Sequence, residues 1–173
     1  MPHILQASVG GLHAVRPSPE ATLPTADRSK VQALALIDLG VVDPALAGRK
    51  VPFISYFINE SLTFTQAADG TWSQDTEHGD ALEWAEPFEG GVEQFANIAP
   101  VAEAALVEVE RVDERAAGIW FQIGGEPRWV QSDENPGPDY IFVGQMECWY
   151  ANGTIYGFYH AEKQAMHFEC QFS

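Results

Sequence analysis

Basic residues are scarce in this chain: nine Lys and Arg stand against twenty-five Asp and Glu, a formal net charge of −16. Binding to a phosphate backbone or an anionic lipid surface depends on neutralisation by Lys and Arg, so nucleic acid and membrane are poor partners. Cysteine is rarer still. Cys148 and Cys170 are the only two, they follow no disulfide framework, and they suit a reducing cytosol. No apolar run approaches the roughly 20 residues that span a bilayer, and the opening MPHILQASVGG lacks the basic and apolar regions of a secretory signal. The expectation is a soluble, cytoplasmic protein.

The familiar motifs of catalysis are missing as well. There is no G-x-S-x-G elbow, no serine in a triad context, and neither G-x-x-x-x-G-K-[ST] nor G-x-G-x-x-G. Gly124-Gly125 leads into Glu126-Pro127 and not into a helix start, so it forms no phosphate cradle. An acid–base pair could be assembled from almost any two of twenty-five carboxylates, which strips each one of weight. Cys148, His160, His167 and Cys170 have zinc-ligand identities, but their spacing matches no knuckle, and strand alternation sets Cys170 with Phe168 and Phe172 on a core-like face opposite His167. Neither a catalytic residue, a metal nor a cofactor is expected.

What is present is a core. With 46% hydrophobic and 12% aromatic residues, 173 residues suffice for one domain. Residues 1–30 are punctuated by Gly10-Gly11 and by Pro17, Pro19 and Pro24, and read as an irregular arm with a short strand near Ile4 to Val9. VQALALIDLGVV (Val31 to Val42) reads as a buried strand, with a short helix as the other option. A single turn after Asp43-Pro44 follows, and then the aromatic, β-branched strand VPFISYFIN (Val51 to Asn59). Asp69-Gly70 between Leu62–Ala67 and Thr71–Glu77 predicts a hairpin with a type I′ turn.

GVEQFANIA suits a short helix. Leu106 to Val112 alternates as a strand, and GIWFQIGG is a strand stopped by two glycines. YIFVGQMECWY, an Asn152-Gly153 turn, TIYGFYH and MHFECQF complete an antiparallel succession. On TIYGFYH, alternation places Tyr156, Phe158 and His160 on one face, and Ile155, Gly157 and Tyr159 on the other. An echo between VQALALIDLG–FISYFIN–LTFTQ and IFVGQMECW–IYGFYH–MHFECQ is compatible with two related halves sharing one core, or with ordinary repetition of amphipathic strands.

IGGEPRWVQ (Ile123 to Gln131) and GQMECWYANGTIYGFYH (Gly144 to His160) resemble the C-terminal signature of the YwqG-like family of bacterial proteins, whose biochemical role is not established. The resemblance covers about the last sixty residues well and implies a strand-dominated α+β fold with antiparallel sheets. Many relatives carry a His shortly before the Gly-Gly, where this chain has Phe121-Gln122, and the chain is shorter than typical members. Members often lie near toxin systems, which implies a protein-binding or immunity role.

Physically, Gly124-Gly125 permits a left-handed turn, Pro127 fixes φ, Trp129 and Val130 re-enter a strand, Gln131 bonds backbone groups that the turn leaves unpaired, and Gln145, in an apolar run beside Met146, needs partners if buried. That reading is structural locking. The functional alternative makes Trp129, Gln131, Gln145, Tyr156 and Tyr159 the floor of a small-ligand or sugar pocket, in a binding protein or an enzyme.

The charge is unevenly distributed. From Val51 to Glu110 there are twelve carboxylates and no Lys or Arg, densest at Asp75, Glu77, Asp80, Glu83, Glu86, Glu89 and Glu93. Such a segment is either a solubilising face or a steering surface for a basic partner. On the second reading Trp72, Trp84 and Phe88 would anchor the contact. The leading expectation is therefore a non-enzymatic immunity-like or antitoxin-like partner of a basic protein.

Overall fold

The computed structural model describes residues 3–6, 31–56, 61–75, 105–108, 119–148 and 153–172. Ten strands account for most of them: β1 His3–Gln6, β2 Val31–Asp38, β3 Lys50–Tyr56, β4 Leu62–Gln66, β5 Trp72–Gln74, β6 Ala105–Glu108, β7 Ile119–Ile123, β8 Tyr140–Cys148, β9 Gly153–His160 and β10 Ala165–Phe172. Eight form one antiparallel sheet in the order β5-β4-β10-β9-β8-β7-β1-β6, and β2-β3 form a second. The architecture is strand-dominated and antiparallel, as the alternation predicts. The only helical elements among the described residues are the 3-10 turns Leu39–Val41 and Pro44–Leu46.

The β2–β3 pair covers one face of the large sheet. That face carries Ile155 and Tyr159 of β9, Met166, Phe168 and Cys170 of β10, Leu62 and Phe64 of β4, and Trp72 of β5, all packed with Phe53, Ile54, Val51, Ile37 and Leu39 from the small sheet and its turn. Phe53 meets Phe168 edge-on, ring centroids 5.5 Å apart. The space for Phe53 comes from Gly157, where a Cβ would lie 2.7 Å from Phe53 Cε2 and 3.2 Å from Phe168 Cε1. A bulge between Phe142 and Gly144 turns Val143 into the same core. Arg49 closes the end of the interface, donating from Nη1 to Tyr159 Oη at 2.5 Å.

Several local expectations change. The apolar run from Val31 leaves the strand at Asp38, whose Oδ1 accepts from Gly40 N and Gly48 N at 2.8 and 3.0 Å and so starts the first 3-10 turn. The turn after Asp43-Pro44 forms as expected, with Asp43 capping Ala45 N. In the β4–β5 hairpin the turn is not type I′. Gly70 has φ +86° but Asp69 has negative φ, Gly70 N bonds Ala67 O, and Ala67 N bonds Thr71 O. This is a three-residue loop ending in a left-handed glycine, with Asp69 Oδ1 accepting from Thr71 N and Oγ1.

Gly153 is the first residue of β9, opposite Cys148, and Asn152 lies outside the described residues together with the expected helix in GVEQFANIA. The echo is not repeated in the pairing. β8, β9 and β10 are sheet neighbours, whereas β4 leaves β3 and pairs with β10.

A methyl at Gly157 would have to displace two packed rings. Gly157→Ala is therefore expected to destabilise by about 1–3 kcal/mol, the usual range for overpacking, despite its smaller unfolded-state entropy. Denaturant titration measures this; an unchanged or higher midpoint would mean that Phe53 does not press on β9.

Candidate functional site

The opposite face of the large sheet is polar and aromatic, and strand register arranges it in rows. Gln122 of β7, Gln145 of β8, Tyr156 of β9 and Glu169 of β10 stand in line across four strands. The next row holds Phe142, Phe158, His167 and Thr63. A third holds Tyr140, His160, Ala165 and Thr65.

Residues 124–132 cross this face as an irregular strap. The double glycine starts it, Gly124 at φ +69° and Gly125 at +78°, with Gly124 N still bonded to Val143 O. With no strand neighbour among the described residues, the strap finds its hydrogen-bond partners in sheet side chains. Gln122 Nε2 donates to Gly124 O and Glu126 O, both at 2.9 Å. Gln145 Oε1 accepts from Arg128 N at 2.7 Å. Tyr156 Oη donates to Arg128 O at 2.8 Å and accepts from Val130 N at 2.9 Å. Gln171 Oε1 accepts from Val130 N and Gln131 N, and its Nε2 donates to Ser132 O. Gln131 answers by donating to Phe172 O. The Trp129 ring lies on Tyr156 and Phe158, at centroid distances of 4.6 and 5.9 Å. Burial under this cover pushes the Tyr156 phenol up to about 12, against the opposing effect of its Val130 hydrogen bond.

Beyond the strap the face opens into a cleft of about 390 Å³. Its floor is a hydrogen-bonded chain. Thr63 Oγ1 lies 2.8 Å from His167 Nδ1, and His167 Nε2 lies 2.6 Å from Glu169 Oε1. An ionised Glu169 can only accept, so in neutral His167 the proton sits on Nε2, and Nδ1 accepts from the Thr63 hydroxyl. Asp75, Tyr140 and Lys163 line the sides, and Pro136, at the far end of the strap's loop, closes one end. Tyr140 packs edge-on against His160 and His167.

The motif residues thus separate. Gly124, Gly125, Pro127, Trp129 and Gln131 belong to the strap, and Gln145 and Tyr156 hold it, which is the locking role that their residue types suggested. Trp129 and Val130 do not re-enter a strand: sheet side chains, and no neighbouring strand among the described residues, take the backbone N–H groups of Arg128, Val130 and Gln131; Val130 is exposed. Tyr159 shares no floor with Tyr156. It projects from the other face into the core, against Arg49.

Of the acidic set, Asp75 is described and lines the cleft, while Glu77, Asp80, Glu83, Trp84, Glu86, Phe88, Glu89 and Glu93 lie outside the described residues. Trp72 is a core residue, 5% exposed, and cannot anchor a partner. Cys170 is buried in the core, and no group of three metal-ligating side chains occurs among the described residues. No sequence motif joins Thr63, His167 and Glu169. His167 and Glu169, two apart on one strand face, could be paired from alternation, but Thr63 requires the β4–β10 register across 104 positions.

Comparison with protein-family models, curated proteins and solved structures yields no match to this chain. No helix among the described residues is long and apolar enough to cross a membrane.

Two measurements probe the strap. Gln171→Ala removes three hydrogen bonds to it and should cost about 1–3 kcal/mol, the penalty for stranding buried polar groups. Proteolytic cleavage within 124–132 should rise with it; unchanged stability and protection would mean that the strap is held by Trp129 alone. Tyr156 gives a pH signature. Its folded pKa is raised, so its stabilising contribution is intact below the ordinary tyrosine value near 10 and is lost as pH climbs towards about 12. A phenolate titration should contain one late step that disappears in Tyr156→Phe.

Proposed function

We propose that the protein is a non-enzymatic binding partner of a basic protein, of the immunity or antitoxin type, acting in the cytoplasm. The observation that carries this reading is charge segregation: twelve carboxylates and no Lys or Arg from Val51 to Glu110. Asp75, the first of the dense acids, lines the cleft, and the loop after the strap, which contributes Pro136 to the same lining, exposes Asp133, Glu134 and Asp139. From Trp129 to Glu162 the chain contains no Lys or Arg. Segregated acids of this kind raise encounter rates with a basic protein and repel wrong partners. The resemblance to YwqG-like proteins supports the same class.

A small-ligand site built from Trp129, Gln145 and Tyr156 would require the strap to leave, since its backbone occupies their polar groups. Protein binding at the surface needs no such movement.

The test begins with a pull-down from the source cytoplasm at low and high salt, which should recover a basic protein only at low salt. Against that protein, the triple variant Glu83→Lys, Glu86→Lys, Glu89→Lys should slow association by about tenfold or more at low salt, with little change in dissociation. An association rate indifferent to the charge reversal and to salt would overturn the proposal.

A further inference from the structure

We infer that the cleft receives a cationic side chain, the ammonium or guanidinium of a Lys or Arg on the partner; this rests on the basic-partner reading above and gives it a contact point. The argument is a count of donors. With His167 neutral, the Thr63 hydroxyl proton is used on His167 Nδ1 and the His167 N–H on Glu169 Oε1. What this relay still offers to a ligand is acceptors, the lone pairs of Thr63 and of Glu169 Oε2; the Thr65 and Tyr140 hydroxyls, also in the lining, can donate or accept. A floor of acceptors favours a ligand that brings N–H donors and positive charge, and disfavours an anion.

Position reinforces this. His167 and Thr63 are 8% and 5% exposed, so the chain that grips Glu169 is itself fixed, and its second oxygen is presented in one direction. Asp75 is also in the lining, its backbone N–H bonded to Thr63 O. The volume lies at the small end of the range of about 300–1,000 Å³ usual for ligand pockets, suitable for one side chain. Lys163 is the contrary feature. It is exposed at the rim, makes no ion pair with a described residue, and is a resident cation that an incoming one must displace.

The experiment uses the full chain and three neutral-backbone probes: the N-acetyl amides of lysine, arginine and norleucine. In an NMR titration the lysine and arginine probes should shift the amides of Thr63, His167 and Glu169 saturably, and the uncharged norleucine probe should not. Glu169→Gln, which keeps an acceptor for His167, should weaken binding at least about fivefold. Lys163→Met should strengthen it about twofold or more, a gain that damage to the fold would not produce. Equal binding of norleucine, or affinities that neither variant moves, would overturn the inference. If the cationic probes fail while an intact basic protein still associates in a salt-sensitive way, only the cleft assignment falls. If the probes bind but no basic protein does, the wider reading falls.

Discussion

All eight residues of β9, from Gly153 to His160, are buried. An antiparallel sheet commonly leaves one face to water, so a strand buried on both sides demands two covers, and the rest of the described structure supplies them. The β2–β3 pair is the first cover and works by apolar packing, with Phe53 driven into the gap left by the missing side chain of Gly157. The strap at 124–132 is the second and works by hydrogen bonding. The two covers meet β9 through alternate residues of one heptapeptide, TIYGFYH, which explains why that segment has aromatic rings on both faces where a half-exposed strand would have polar ones on one.

The second cover is the more demanding. A segment without strand neighbours, laid on a sheet, would bury peptide groups at a cost of about 1–3 kcal/mol each if they found no partner. Here three strap N–H groups and four strap carbonyls are met by Gln122, Gln145, Tyr156 and Gln171. Amide side chains suit this role because each carries a donor and an acceptor, and a phenol does the same with one oxygen. The strap is consequently specified by sheet residues distant in sequence as much as by its own glycines and proline. Gln122 Oε1 and Arg128 Nε are buried without a hydrogen-bond partner among the described residues, so the satisfaction is not complete.

Much of this was legible in the sequence. Alternation identified the strands from β7 to β10 and assigned the two faces of β9, and Asp43-Pro44 marked its turn. The Gln and Gly residues of the motif announced a locked backbone. What could not be read was register. Tyr156 and Tyr159 were grouped because both are aromatic, although period two already separates them by a face. Trp72 looked available because it sits among polar residues in a three-residue strand, yet cross-strand pairing with Gln66 turns it into the core. Thr63 and His167 are opposite each other only because β4 abandons β3 for β10. Local pattern states which face a residue takes; it does not state which strand lies beside it.

Register also ties the two halves of the polar face together. Glu169 is the fourth member of the row that begins with Gln122, Gln145 and Tyr156. The first three are consumed by the strap, and the fourth emerges from beneath it at the cleft. Trp129 lies over Tyr156 and Phe158, and Phe158 pairs directly with His167, so the strap's bulky residue abuts the strand that carries the cleft floor. The strap therefore does two things at once: it seals β9, and its edge defines where the uncovered part of the face begins. Under the strap, donors and acceptors are nearly balanced because a backbone supplies both. Beyond it the His167 relay spends the donors internally and leaves acceptors outward. The change from neutral to acceptor-rich occurs within one row of side chains.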